Sequence, residues 1–543
     1  MLPSTDSSSN NSESRFSTAW WVFVALAAAL LPLMVLASFD FGVTWDEKPR
    51  HHYGELIWEF MRGLRARTTT YVEDGGHYYG GLFDTLCAAI ERYVPVNRYV
   101  LRHALNATFG WIGALYVGRL AARLFGRWAG VLALILVVTS PRYFADSMNN
   151  PKDLPFAAMT AVALYYFATL SPKWPYVSRS TGIKIVVALA AALNIRAAAL
   201  LYLGYFGLLI LAFVVAERQF DPRRLLAVLV RVVAVTAAVL VLGTAFWPWA
   251  MVSPFIRPIE ALLGFANAPF GADVLFNGRA VPSNELPWYY VPVWLLISTP
   301  PVVLVGLILA GLFAERSWLP KLSALATLIV LPIALVIIQH STLYDGVRHL
   351  LFVYPVMVAL AAAGWTAALM RRDPLVRRIT AVLLVIGLIN VLTFDVRAHP
   401  NESAYFNELA GGPKGAFSKY DMDYWGNCVL QAVGWTAKAA QLSGIPIVVS
   451  GEPSPVIQLD SERYHQLSFV PPFRNQHHID IRLARGSAGA VSSLAARPDA
   501  LFKVEMPDGT VLCTVEPGPR FAEIESRLKL PAAGLRPHQL IRP

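Results

Sequence analysis

Eleven apolar segments, each close to the length of a membrane span, run through this chain and restrict its fold class more than any other feature. A helix needs about 20 apolar residues to cross a ~30 Å hydrocarbon core, so the shorter segments must be tilted or partly re-entrant. Composition agrees, because 55% of the 543 residues are hydrophobic and only 15% are charged. The sequence therefore predicts an α-helical polytopic membrane protein, with spans at roughly 20–38, 100–122, 128–141, 154–171, 182–197, 199–216, 224–247, 290–314, 321–339, 349–370 and 376–394.

Short basic loops separate alternate spans and indicate the orientation of the chain. These loops lie at 123–127, 172–181, 217–223, 315–320 and 371–377. By the positive-inside rule they face the cytoplasm, and membrane orientation explains the net charge of +10 better than binding to nucleic acid does. The outer segments then hold nearly all the unusual polar residues: 39–99, 142–153, 248–289, 340–348 and everything after 394.

The pattern predicts three parts along the chain. They are a disordered cytoplasmic tail at 1–18, a transmembrane catalytic domain at 19–395 and a small extracytoplasmic α/β domain at 396–543. In the first outer loop, 45–66 and 81–94 have helical periodicity but suit helices that lie in the membrane interface. The tail domain has predicted strands at 445–451, 477–484 and 501–517, the last as a hairpin around Asp508 and Gly509. Cys428 and Cys513 both fall in this region, and the sequence leaves open whether they pair.

The position of the acidic residues favours an enzyme over a transporter. No Asp or Glu falls in the middle of a predicted span. Ion-coupled transporters normally keep a carboxylate at membrane depth, where the coupled charge binds. Here the acids gather at the outer face, which predicts a cavity that opens there and meets a lipid-borne substrate.

Two adjacent acids, Asp46 and Glu47, follow the first span closely. Thr44 and Glu47 have the spacing of a helix capping box, whereas Pro49 could itself mark the helix start. Under either interpretation Asp46 lies in or beside the first turn and is free to face a cavity, so it is a candidate general base. Glu47, His51 and Glu55 would share one helix face and could hold a divalent metal, although a solvated surface is the alternative.

The second outer loop and two arginines add further candidates. Asp146 is a second candidate site carboxylate, whereas Asp153 suits the N-terminal charge of the following span. Arg196 interrupts an apolar hairpin and needs an anionic partner, either a carboxylate or a phosphate. Arg348, which His349 follows, could snorkel to the interface or bind a phosphate.

Together these segments resemble the GT-C class of membrane glycosyltransferases, specifically the superfamily of protein O-mannosyltransferases and bacterial aminoarabinose transferases. The resemblance rests on Asp46-Glu47 after the first span, on the acidic loop with Asp146 and Asp153, and on RHLLFVYP at 348–355. HPNESAYFNELAGGPKGA at 399–416 and DYWG at 423–426 are less diagnostic. The resemblance implies transfer of a sugar from a polyprenyl-phosphate donor to a hydroxyl, lipid or glycan at the outer face, with Asp46 as base. Direct displacement at the anomeric carbon would invert its configuration.

The resemblance and the residues together give a set of expected roles. Those roles are catalysis by Asp46, Glu47 and Asp146, phosphate binding by Arg348, Arg196, Lys152 and His349, and acceptor or sugar binding by Tyr424, Trp425 and Asn149. The sequence assigns no cofactor and leaves a divalent metal as an open alternative. The expected partners are the lipid-linked donor, the bilayer and a glycan, lipid or protein acceptor, with no nucleic acid.

The expected location is a bacterial inner membrane with the site on the periplasmic or extracellular side. A lipid-linked sugar flippase or another transporter is the main alternative function. A non-enzymatic envelope assembly factor that binds a partner through 396–543 is a third.

Overall fold

The computed structural model describes residues 17–70, 76–170, 178–216, 218, 220–266, 273–484, 497–531 and 539. Residues 1–16 of the predicted N-terminal tail therefore lie outside the described residues. So do parts of the predicted C-terminal domain and parts of the loops at 172–181, 217–223 and 248–289.

Helices make up most of the described chain. Nineteen α-helices occur in these ranges: α1 Thr18–Ser38, α2 Glu47–Met61, α3 Leu82–Ile90, α4 Arg98–Phe125, α5 Arg127–Val138, α6 Pro141–Asn149, α7 Asp153–Ala168, α8 Arg179–Leu193, α9 Ala199–Ala216, α10 Pro222–Leu242, α11 Arg257–Ala266, α12 Tyr290–Ser298, α13 Pro301–Phe313, α14 Leu319–Ile338, α15 Tyr354–Leu369, α16 Pro374–Ala398, α17 Gly412–Ala416, α18 Cys428–Ser443 and α19 Ser454–Ser461.

Six of the described helices are long and apolar enough to cross a membrane, and two bent pairs raise that number to eight. The bends are 67° between α5 and α6 and 109° between α12 and α13. Both follow from the sequence, because Pro141 and Pro301 each stand in the first turn of the second helix of a pair. The chain is an integral membrane protein, and the predicted number of eleven spans stays a prediction.

α15 forms the centre of the helical part. Nearly all of its residues are buried, and it packs on α13, α5, α4, α14 and α16. Small residues allow the close approach to α13: a Cβ placed on Gly364 would lie 1.9 Å from the backbone oxygen of Gly306. The Trp365 indole donates to the backbone oxygen of Val302 at 2.8 Å, which fixes the register of this pair. The 3-10 turn Arg348–Val353 leads into α15 and therefore lies at one end of the bundle.

Seven strands form two sheets in the described residues. The strands are β1 Asp273–Phe276, β2 Arg279–Pro282, β3 Ile447–Glu452, β4 Leu467–Phe469, β5 Ile479–Leu483, β6 Phe502–Glu505 and β7 Val511–Pro517. The five-stranded sheet has the order β4-β3-β5-β7-β6, with β3 parallel to both neighbours and β7 antiparallel to both of its own. The predicted hairpin around Asp508 and Gly509 is present as β6 and β7. The division of the chain at 395 stays a prediction.

A disulfide joins the helix α18 to the sheet. Cys428 at the start of α18 is bonded to Cys513 in β7 across 85 residues of sequence, with 6.0 Å between the Cα atoms. The sequence left this pairing open. A cross-link over a long loop removes much of the conformational entropy of the unfolded chain and so stabilises this fold.

Candidate active site

Asp46 stands at the cap position of α2, with its side chain directed away from the helix. α2 begins at Glu47, before Pro49, and the Asp46 carboxylate makes no capping hydrogen bond. Instead its Oδ2 lies 2.8 Å from the Lys152 Nζ and 3.2 Å from an Nη1 atom of Arg348. The carboxylate is therefore shared by two cations that come from two other segments of the chain.

Three further charged residues extend this arrangement. Arg348 lies 3.4 Å from Asp153 through Nη1 and 3.1 Å from Asp345 through Nε, and Asp153 also pairs with Arg196. The ion-pair cluster thus comprises Asp46, Lys152, Asp153, Arg196, Asp345 and Arg348. Three cations balance three carboxylates, which offsets the large desolvation cost of burying them.

Aromatic rings pack against two cations of the ion-pair cluster. The Arg348 guanidinium lies over the rings of Tyr344 and Trp425, at 4.7 and 5.0 Å from their centroids. The Lys152 ammonium lies 4.9 Å from the centroid of Tyr79. Such contacts stabilise a cation without supplying a counter-charge. The cations are therefore held in place while they stay electrostatically able to attract an anion.

The charges of the cluster shift the titration of Asp46. Burial raises the pKa of its carboxyl, but the positive charges of Lys152 and Arg348 outweigh burial and lower that pKa to about 2. For Lys152, burial lowers the pKa, and the Asp46 charge outweighs burial and raises it. Both groups are therefore ionised throughout the physiological range, and Asp46 is a weak base while both cations remain paired with it.

Asp146 reaches the cluster through its neighbours. Its Oδ1 accepts hydrogen bonds from the Trp425 indole at 2.9 Å and from the Asn150 amide at 3.1 Å. The same Asn150 amide donates to Asp153 at 3.3 Å. Trp425 therefore connects Asp146 to Arg348, because its ring contacts both side chains.

Tyr424 is buried, and its backbone oxygen accepts a hydrogen bond from the Trp45 indole at 3.0 Å. This bond joins the DYWG segment to the loop that carries Asp46.

Three of the predicted site residues face other partners. Glu47 turns to His103 at 3.0 Å and accepts the Thr44 backbone N–H at 2.8 Å, so it forms the Glu47 half of the predicted capping box. The Asn149 amide donates to the backbone oxygen of Gly42 and to the Asn427 side chain, which places it as a link between segments. The His349 ring packs edge-on against Tyr344 at 4.6 Å.

Glu47, His51 and Glu55, the three residues considered for a metal site, do not come together in the structure. Glu47 is directed to His103, and Glu91 takes its place beside His51 and Glu55, with one ligand atom from each within 4.8 Å of the others. An Arg98 Nη1 atom lies 2.9 Å from the Nε2 of His51. Because guanidinium only donates, this Nε2 accepts, and its lone pair is already used. The residues present therefore fit a hydrogen-bonded cluster better than a metal site.

Sequence reasoning ranked Asp153 below Asp146 and missed Asp345, Tyr344 and Tyr79. Asp153 is in the first turn of α7, as predicted, but its carboxylate also contacts both arginines of the cluster. The spacing of Asp345 and Arg348 was the available signal, since residues three apart on one turn can pair. The contribution of Tyr79 had no local signal.

The loop before Asp46 is held by α19. Asp460 in α19 is fully buried, and its Oδ1 accepts the Val43 backbone N–H at 3.3 Å and lies 3.4 Å from Arg463. A Cβ on Gly42 would lie 2.9 Å from the other Asp460 oxygen, so a larger residue there would force the Asp460 side chain to move. The region that contains the five-stranded sheet thus positions the loop that carries Asp46.

Replacing Asp460 with asparagine is expected to stabilise the protein at neutral pH but not in acid. Burial raises the pKa of Asp460 to about 6, from an ordinary value near 4. The folded state then binds more protons than the unfolded state, so wild-type stability falls as pH rises from about 4 to about 6, by on the order of 3 kcal/mol. Asparagine keeps the acceptor for Val43 and cannot ionise. Thermal unfolding in detergent at pH 4 and pH 7.5 measures the difference, and an equal shift at both pH values would contradict this account.

Comparison with known proteins gives matches by structure alone. No family model and no curated protein matches the chain. ArnT from Cupriavidus metallidurans, solved with bound undecaprenyl phosphate, is 12% identical with a TM-score of 0.48, over 92% of this chain and 98% of that one. The oligosaccharyltransferase AglB from Archaeoglobus fulgidus is 12% identical with a TM-score of 0.44, over 90% and 74%. The S. cerevisiae protein O-mannosyltransferase complex Pmt1-Pmt2 is 16% identical with a TM-score of 0.32, over 47% and 38%.

The TM-scores lie below 0.5, so conclusions about the site rest on this chain's own contacts. These three solved structures are membrane glycosyltransferases, the class that the sequence motifs of this chain resemble.

Proposed function

We infer that this protein is a glycosyltransferase that moves a sugar from a polyprenyl-phosphate donor to an acceptor at the outer face of the membrane. The observation that carries the proposal is the ion-pair cluster. Lys152, Arg196 and Arg348 converge there from three segments, at the end of the helical bundle, beside a carboxylate that contacts two of them. Buried cations in such a place suit an anionic group on a membrane lipid.

The phosphate of the donor is the natural competitor for the carboxylates of the cluster. It offers oxygen atoms to Lys152 and Arg348, which now share Asp46 at 2.8 and 3.2 Å. When Lys152 and Arg348 also pair with the phosphate, its negative charge offsets part of their effect on Asp46. The pKa of Asp46 then rises from its low resting value, because these two cations are what lower it. Donor binding thus makes Asp46 a better base at the moment when a base is needed.

The reaction is a direct displacement at the anomeric carbon. The acceptor oxygen forms a bond to that carbon as its proton passes to the Asp46 carboxylate. The bond from the anomeric carbon to the phosphate oxygen breaks, and the electron pair leaves with the polyprenyl phosphate. The leaving phosphate gains negative charge, which Lys152, Arg196 and Arg348 stabilise. Attack opposite the leaving group inverts the anomeric configuration.

Two observations support the outer face as the location of the site. The Cys428–Cys513 disulfide belongs to the region that contacts the Asp46 loop, and disulfides persist in oxidising compartments. The basic connections, such as Arg371-Arg372 between α15 and α16, lie at the opposite end of α15 from Arg348.

A lipid-binding and transfer assay tests the proposed function. Purified protein in nanodiscs is titrated with undecaprenyl phosphate and, as a matched control, with undecaprenol, which has the same chain without the phosphate. We expect the phosphate to bind at least about tenfold more tightly, since only it can engage the three cations. Undecaprenyl-phosphate hexoses are then screened, with membrane lipids and glycans supplied as acceptors, for release of free undecaprenyl phosphate. Equal binding of the two lipids, or movement of intact donor across a proteoliposome bilayer without sugar transfer, would contradict the proposal.

A further inference from the structure

A cavity lies directly beside the ion-pair cluster and shares Arg348 with it. The cavity has a volume of about 480 Å³ including its mouth, and it lies between α6, α12 and the turn Arg348–Val353. Its walls carry the charged side chains of Arg142 and Asp146 and the hydroxyl of Ser298, together with apolar and aromatic residues that include Leu295 and Leu351. A group attached to a phosphate held by Arg348 has this space immediately next to it.

Arg142 presents an unused hydrogen-bond donor at this cavity. Its guanidinium lies between the rings of Trp294 and Phe406, at 5.3 and 4.8 Å from their centroids, and its Nε donates to the Tyr405 backbone oxygen at 3.1 Å. These contacts fix its orientation. Its Nη2 is shielded from solvent and has no hydrogen-bond partner within the described ranges. A fixed, buried donor without a partner is unfavourable unless a ligand satisfies it.

Asp146 supplies the complementary acceptor. Its Oδ1 is held by Trp425 and Asn150, so the carboxylate is oriented as firmly as the guanidinium. Arg142 and Asp146 carry opposite charges and attract one another across the cavity wall. The pair therefore offers both a donor and an acceptor without a net charge, which suits the hydroxyl groups of an uncharged ligand.

The chemistry of the walls distinguishes between the two groups that a lipid-linked donor attaches to its phosphate. A polyprenyl chain has no hydrogen-bonding groups, and lodging it against Arg142 would leave the buried Nη2 atom of that guanidinium unsatisfied. A sugar carries several hydroxyls and can satisfy it. The polar groups on its walls suit a hydroxyl-bearing sugar better than a hydrocarbon chain.

We propose that this cavity binds the sugar of the donor, that Arg142 and Asp146 recognise its hydroxyl groups, and that it selects an uncharged sugar over an amino sugar or a uronic acid. This inference rests on the proposed function, since it assumes a phosphate at the ion-pair cluster. Arg142 would then determine specificity for the sugar and would not contribute to binding of the carrier.

The experiment compares two probes in the same nanodiscs: undecaprenyl phosphate and undecaprenyl phosphate mannose. Arg142→Lys keeps the charge but loses the planar fork of donors. We expect it to weaken binding of the mannose-bearing probe at least about tenfold and to change binding of the bare phosphate less than twofold. Ser298→Leu fills the cavity and leaves the ion-pair cluster unchanged. We expect this variant also to weaken binding of the mannose-bearing probe and to spare binding of the bare phosphate. It provides the test if Arg142→Lys fails to fold.

Each result is decisive. Equal weakening of both probes would place Arg142 at the phosphate and overturn the inference, as would unchanged binding of the mannose-bearing probe in both variants. Tighter wild-type binding of a probe that carries an amino pentose or a uronic acid would overturn the stated selectivity. If neither probe binds the wild-type protein, the proposed function fails and the inference fails with it.

Discussion

Replacing Asp46 with asparagine is expected to lower the turnover number of sugar transfer by at least about 100-fold, the usual loss on removal of a general base. Asparagine has nearly the same shape, but its amide cannot take the proton that the acceptor hydroxyl gives up. Carrier binding should persist or tighten, because Lys152 and Arg348 lose one of the carboxylates that neutralise them. Initial rates with saturating donor, together with titration of undecaprenyl phosphate, measure the two effects separately.

Two other acids provide the comparison for Asp46. Asp373 also stands at a helix cap, where it bonds the Leu375 N–H at 2.8 Å on the other side of the bundle, and asparagine can keep that cap. Asp373→Asn should therefore leave turnover unchanged. Glu47→Gln should lower the melting temperature through its contact with His103 and spare the chemistry. Wild-type-like turnover in Asp46→Asn, or an equal loss in Glu47→Gln, would exclude Asp46 as the specific base.

Replacing Arg348 with glutamine is expected to weaken binding of undecaprenyl phosphate by at least about 30-fold. Arg348 contacts Asp46, Asp153 and Asp345, so its removal leaves three carboxylates near one another and repels an anion. Removal of one member of a buried charged pair costs about 2–5 kcal/mol. Lysine should restore only part of the affinity, since one ammonium cannot reproduce the separate contacts of Nη1 and Nε.

Equilibrium titration of the carrier in nanodiscs measures this loss. Arg372→Gln is the matched control, because Arg372 is an exposed arginine in the connection between α15 and α16. It changes the net charge by the same amount and lies far from the cluster along α15. A similar decrease in both variants would show a general electrostatic effect, and unchanged affinity in Arg348→Gln would remove Arg348 from the phosphate site. A monodisperse elution profile in detergent verifies that each variant is folded.

Local sequence signals were reliable where one segment alone determines the outcome. The two helices between the first and second predicted spans, and the hairpin at Asp508 and Gly509, follow from periodicity and turn chemistry, which act within a few residues. The ranking of the acids was less reliable. Asp153 sits at a helix start, as its sequence context indicates, yet its contacts with Arg196 and Arg348 depend on elements 43 and 195 residues away.

The sequence by itself determined that this is a membrane protein and which class of enzyme it resembles, and it predicts that the unusual polar residues gather at one face. These properties depend on hydropathy, on loop charge and on short motifs, all of which are read along the chain. Only the tertiary structure decided which charges meet. It paired Asp46 with Lys152 and Arg348, brought Asp345 and Tyr79 to the same place, and turned Glu47 away to His103. The physical reason is that an ion pair needs contact within about 4 Å, and helix packing brings distant segments that close together.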